Sequence, residues 1–167
     1  MAEADKVAGA GAVQDGAATP RVSIKAQYVR DASFENIAVR SGDGRMDVKP
    51  EIQVAVNLDA KKRSASLFEV ILKVTGTARA GEETMFVVEV EYAGLFELTG
   101  VPEAQVHPYL LIECPRLLFP FARRIVADLT RDGGYPPLML DLVDFAALYR
   151  AEVERRRAAE AATAGNA

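Results

Sequence analysis

The chain has no tryptophan, one cysteine and one histidine, and each scarcity closes off a kind of chemistry. A lone thiol, Cys114, rules out a disulfide framework within the chain and suits a reducing compartment. Cys114 precedes Pro115 among apolar residues, the setting of a small buried hydrophobe rather than of a reactive thiolate. With no second cysteine and no second histidine, a protein zinc site has too few ligands. The sole imidazole, His107 in "QVHPY", lacks the orienting acid and the nucleophile that a catalytic base needs beside it. There is no glycine-rich phosphate loop after a strand and no P-loop lysine motif. Long apolar runs are missing too: none approaches the roughly 18 residues of a membrane-spanning helix. The opening "MAEADKVAGAGAVQDGAATP" lacks the basic region and apolar stretch of a secretory signal. A net charge of −4 argues against a nucleic-acid binder held through phosphates. Together these absences predict a cytoplasmic protein that is not an enzyme and uses neither metal nor cofactor.

What is present is enough for one folded domain. A chain of 167 residues buries roughly 68–70% of its unfolded surface and needs no covalent staple. Residues 1–20 hold no Leu, Ile or Phe; they cannot offset their ordering entropy and read as a flexible arm. The small, polar 158–167 reads as a flexible tail, which leaves a single domain over 21–157.

The first half of that domain alternates with period two. Val22, Ile24, Ala26 and Tyr28 share one side, and Ile52, Val54, Val56 and Leu58 do the same in a second segment, so both are strands with one buried face. "SGDGRMDVKP" between them, with Gly42 and Gly44, reads as a turn-rich connection. "SLFEVILKVTGTAR" and "TMFVVEVEYAGLFEL" are the arms of a long hairpin turning at Ala80–Glu83. Phe68, Val70, Leu72 and Val74 share a face, as do Phe86, Val88, Val90 and Tyr92. Ile71, Met85 and Val87 point the other way, so part of the second face also needs cover.

The second half is helical. Leu117, Phe121, Ile125 and Leu129 recur every fourth residue, with Leu118, Ala122 and Val126 as a parallel row, giving an apolar arc too wide for one contact. Pro120 bends this helix unless it lies in the first turn, and Gly133 and Gly134 end it. "YPPLMLDLVD" runs extended through Pro136 and Pro137, and a last helix begins near Asp141 or Val143. The predicted fold is α+β, a four-stranded antiparallel sheet followed by helices packed on one face.

Carboxylates are the remaining chemistry-bearing groups. In "YVRDASFE", an unbroken strand places Asp31, Ser33 and Glu35 opposite Tyr28 and Phe34, with Asp31 and Glu35 about 13 Å apart. That is too far for a glycosidase pair, whose carboxyls lie about 5–9.5 Å apart. Glu51, Glu69, Glu89 and Glu91 fall on polar positions of the other strands. This face is either solvated or a docking surface for a basic partner.

Several stretches together resemble the SecB family of protein-export chaperones. They are "YVRDASFE" at 28–35, "FEVILKVTGTA" at 68–78, "GEETMFVVEVEYAGLF" at 81–96 and "CPRLLFPFARRIVADLTRDGGYPPLMLDLVDFAALY" at 114–149. The resemblance implies a cytosolic homotetramer, a dimer of dimers, that holds precursor proteins unfolded without ATP and passes them to the SecA motor ATPase. It maps SecA docking onto Asp31, Glu35 and Glu82; relatives often carry Leu where this chain has Ala80. On the same resemblance, Ile52, Val54 and Val56 with Tyr135, Leu138, Leu140, Leu142 and Phe145 line a groove for unfolded clients. For the 135–145 stretch, core packing and client contact both remain open. The resemblance also implies that Ile71, Met85, Val87, Leu118, Phe121, Arg124 and Ile125 meet neighbouring subunits. Two alternatives stand beside this: a SecB-like chaperone dedicated to one client such as an antitoxin, and a small-ligand-binding α+β domain.

Overall fold

The computed structural model describes residues 19–42 and 48–164. The arm expected over 1–20 lies almost wholly outside them, as do Gly44 and residues 165–167 of the expected tail. Strands β1 (Arg21–Asn36), β2 (Glu51–Lys62), β3 (Leu67–Ala80) and β4 (Glu83–Thr99) form one antiparallel sheet in the order β1-β4-β3-β2. A single turn, α1 (Ile37–Arg40), follows β1; the long α2 (Glu103–Asp132) and α3 (Phe145–Ala164) follow the sheet. The β3–β4 hairpin turns through Gly81 and Glu82, and Gly81 has φ +64°, a conformation that disfavours any side chain.

Period-two patterning decides which side of the sheet is core. Val70, Leu72, Val74 and Ala78 on β3 and Phe86, Val88, Val90 and Phe96 on β4 are all buried together. α2 lies on this inner face. Its buried row is Leu110, Cys114, Leu118, Ala122 and Val126, four residues apart, with Phe119 beside it. Gly94 provides the close approach: a Cβ there would stand 2.9 Å from Leu118 Cδ2.

A helix is about 10 Å across, whereas four strands about 4.8 Å apart span more. α2 therefore covers the central strands and leaves the inner sides of both edges open. Ile24 and Val29 on β1 and Ile52 and Val54 on β2 are exposed for this reason.

Four expectations change. First, β1 is not an unbroken strand: its register with β4 shifts between Ile24 and Ala26 and again between Val29 and Asp31. Each extra residue reverses the alternation. Val22 and Ile24 therefore face inward, while Ala26 and Tyr28 pair with Leu95 and Ala93 on the outer side. After the second shift Asp31, Ser33 and Glu35 are also outward and Phe34 is inward. Tyr28 shares the face of the acids instead of opposing them. Second, a register shift between Ala78 and Arg79 leaves Met85 without a partner on β3 and turns it into the core cluster. Met85 does not face outward as alternation predicts.

Third, α2 begins at Glu103, well before the apolar rows that mark it over 117–131, and holds Pro108, Pro115 and Pro120 in its interior. Each proline removes one backbone donor and crowds the preceding turn, at about 3 kcal/mol. Burial of the Leu110–Val126 row against the sheet offsets that cost. Fourth, α3 begins at Phe145, where Asp144 accepts the Ala147 amide at 2.9 Å as an N-cap, and it continues through 158–164. The helix overrides the weakly apolar composition that ended the domain at residue 157.

Candidate functional site: an acidic sheet face and an apolar wall

The outer face of the sheet is crossed by a chain of ion pairs. Glu69 is only 3% exposed there; it accepts the Tyr28 hydroxyl at 2.6 Å and pairs with Arg63 and, at 3.9 Å, with Arg30. The Tyr28 hydrogen bond is the chief influence holding the Glu69 carboxyl below its usual range, with Arg63 adding to it and burial opposing. The same bond raises the Tyr28 phenol. Arg30, at the β1 irregularity, also reaches Glu91 at 3.9 Å, and Lys73 lies 3.1 Å from Glu89 and 3.9 Å from Glu91. Lys25 pairs with Glu97 at 2.7 Å.

These pairings sort the carboxylates. Glu69, Glu89, Glu91 and Glu97 have cationic partners within the chain. Asp31, Glu35 and Glu82 are exposed and, among the described residues, form no ion pair. Glu51 and Glu83, at the starts of β2 and β4, are likewise exposed and without an ion pair among the described residues. The network itself was not legible, because the first irregularity in β1 is needed to turn Tyr28 onto this face and the second falls at Arg30.

The apolar surface is built from the segment between α2 and α3. Gly134, at φ +88°, ends α2, and Pro136 and Pro137 keep the following chain extended. Thr130 anchors it: the Tyr135 amide donates to the Thr130 carbonyl at 3.1 Å and the Leu138 amide to Thr130 Oγ1 at 2.9 Å. The Leu138 side chain lies over Gly76, where a Cβ would approach its Cδ2 to 3.3 Å.

Within this chain, Tyr135, Leu140 and Phe145 belong to the core and are no more than 5% exposed, which leaves a client little of them to touch. Tyr135 packs against Phe86 with ring centroids 4.6 Å apart, and Phe145 lies 6.0 Å from Phe119. Val56 and Leu138 are half-buried against the core, while Ile52 and Val54 are open. Leu142 at 86% and Met139 at 60% are the most exposed large apolar residues of the segment. Met139 was missed because "PPLML" gives no sign of which of its three apolar residues turns inward. A hollow of about 430 Å³ lies between the segment and α2, walled by Phe119, Pro120, Ala127, Pro137, Met139 and Leu142. The predicted groove lay between segment and sheet; this hollow has no sheet residue in its walls. Arg123, Arg124 and Arg131 rim it, the last two paired with Asp128 at 2.9 Å.

Of the residues expected to meet other subunits, Leu118 is wholly buried against its own sheet, and so is Met85 within the core. A helix turns about 100° per residue, so the row one residue earlier is the outward one. Leu117 is 44% and Phe121 42% exposed, the latter stacked on Tyr92 at 5.6 Å. Arg124 is exposed, Ile125 half-buried, Ile71 buried on the outer face and Val87 half-buried there. Cys114 is fully buried, and desolvation pushes its thiol up to about 12. His107 Nδ1 lies 3.3 Å from the Tyr149 hydroxyl at the α2–α3 contact. No group of three or more His, Cys, Asp or Glu side chains suited to a metal occurs among the described residues. No helix there is long and apolar enough to cross a membrane.

An open sheet with unpaired acids on one side, apolar strips at its edges and an apolar hollow rimmed by charge has the features of a surface for binding other chains. The chain belongs to the SecB family: residues 15–156 match the family described as preprotein translocase subunit SecB. It is 54% identical over 156 residues to the protein-export protein SecB of Cereibacter sphaeroides, covering 91% of this chain and 94% of that one. It is 53% identical over 153 residues to the protein of the same description from a Ruegeria species, covering 89% and 93%. Among solved structures it is similar to a Mycobacterium tuberculosis SecB-like chaperone in complex with a ChAD peptide from the HigA1 antitoxin. That match has a TM-score of 0.55 at 19% identity, covering 74% of this chain and 91% of that one. At that identity the likeness is one of fold.

Proposed function

We propose that this protein is a cytoplasmic, ATP-independent chaperone that holds precursor proteins unfolded and delivers them to the SecA motor, without a catalytic step. The observation that carries the reading is the division of labour between surfaces. Asp31 and Glu35 stand free on the outer face and Glu82 at the hairpin turn for a basic partner, and Met139, Leu142, Ile52 and Val54 stand free for apolar chain.

Energetics suit holding and release. Ordering one client residue costs about 1–2 kcal/mol, and burying a Leu or Phe returns about 1.5–3 kcal/mol. The two nearly cancel at each point, so affinity accumulates over several sites and release needs no nucleotide. Several sites in one assembly raise the effective concentration of a tethered chain into the mM range. The assembly is a homotetramer, a dimer of dimers. Support comes from the unpaired outer edge of β1 with Ile24 and Val29 beside it, and from Leu117 and Phe121 on α2.

The test is aggregation of an unfolded precursor, with and without the chain, together with capture of purified SecA. Suppressed aggregation without ATP and SecA capture weakened by Asp31→Lys are the expected results. A chain that suppresses nothing overturns the chaperone reading. One that suppresses aggregation of a single antitoxin and ignores SecA is instead a dedicated chaperone.

A further inference from the structure

The acidic face and the apolar wall are joined by three consecutive residues of β1. Glu35 pairs with Val87 on the outer face, while Phe34 and Asn36 flank it on the inner side opposite Val88 and Phe86. The Phe34 ring lies 5.3 Å from that of Phe86 and 6.3 Å from that of Tyr135. Gly133 admits it, because a Cβ there would overlap the Phe34 ring. Asn36 completes the junction. Its Nδ2 donates to the Gly133 carbonyl at 2.8 Å, and its Oδ1 accepts from the Tyr135 hydroxyl at 3.0 Å. Gly133 and Tyr135 are where α2 stops and the wall starts, and Gly134 between them has φ +88°.

The carboxamide both gives and takes in this place; an ionised Asp would keep the acceptor alone and Leu neither. The neighbouring Glu35 is one of the acids without an ionic partner among the described residues. The β1 end and the wall are therefore joined through two hydrogen bonds and an aromatic cluster, over adjacent residues.

We propose that Asn36 is a positioning residue that couples the two surfaces. It sets the direction in which the wall leaves α2, and a basic partner on Asp31 and Glu35 changes, through it, how tightly the wall holds a client. This rests on the two-surface reading above. Coupling of this kind is reciprocal: a bound client alters the affinity for the basic partner by the same factor.

The experiment measures affinity for one unfolded precursor with and without saturating SecA, in the unmodified chain, in Tyr135→Phe and in Asn36→Ala. Tyr135→Phe removes a single oxygen and leaves the ring packed. In the unmodified chain SecA is expected to shift precursor affinity by about five-fold or more; in both variants that ratio falls to about one, whatever happens to the separate affinities. A merely structural Asn36 would lower stability and leave the ratio intact, so a ratio that persists in both variants overturns the proposal. A ratio of one in the unmodified chain overturns it too and leaves the chaperone reading standing. An unmodified chain that binds no precursor overturns the chaperone reading itself. Hydrogen exchange supplies a check free of variants: the Tyr135 and Leu138 amides should exchange faster when SecA binds, and unchanged exchange counts against coupling.

Discussion

Glu69 shows how much of the outer face depends on one side chain. Its carboxylate collects Tyr28, Arg63 and Arg30, and its affinity for a proton is lowered in the folded state. A carboxyl with a depressed folded pKa contributes stability above its unfolded value, about 4.3, and loses it as pH falls through the folded value. Glu69→Gln should therefore cost about 1–3 kcal/mol near neutral pH, with the difference shrinking below about pH 4. Thermal unfolding of both proteins across that range reads it directly; a gap that stays constant with pH would mean that charge at Glu69 is not the cause. At this scale the sequence was informative where a residue's role follows from its own type. Free Asp31, Glu35 and Glu82 were legible as acids on polar positions. Tyr28 as a partner of Glu69, and Asn36 as the partner of Tyr135, were not, because each depends on register shifts or contacts across 41 and 99 residues of chain.

Among elements, the strands were the most legible and the segment after α2 the least. Alternation located all four strands, since a sheet with one committed face writes its period into the sequence. The prolines hid nearly the first half of α2, because intrinsic propensity forbids what packing against the sheet enforces. In the extended segment neither period applies, and the inward residues are chosen by Thr130 and by space over Gly76. Leu140 and Leu142 look equivalent in sequence, yet Leu140 is in the core and Leu142 is open. Leu142→Asp should keep the fold and weaken protection of an unfolded precursor, measured by light scattering. Leu140→Asp buries a charge and should destabilise the fold by several kcal/mol, on the order of 3–5. Equal loss of protection at equal thermal stability would show that the two positions do not differ as their burial says.

For the whole molecule, the surplus apolar surface noted in the sequence is real: Phe121, Ile52, Val54 and Leu142 are exposed as the sequence suggested, and Leu117, Ile24, Val29 and Met139 join them. It sits on Leu117 and Phe121, one residue off the buried row, on the inner sides of the two edge strands, and on Met139 and Leu142 after α2. If α2 joins dimers into the tetramer, the double variant Leu117→Asp with Phe121→Asp should halve the native mass and leave the circular dichroism spectrum unchanged. A tetramer that survives the change places the contact on another surface.

The three prolines of α2 also bear on how a newly made chain matures. With donors missing at residues 108, 115 and 120, this helix is too weak to form by itself in water. It takes shape only on a sheet that already exists. The ribosome releases N-terminal segments first, so all four strands emerge before α2, and the scaffold can be laid down ahead of the element that needs it.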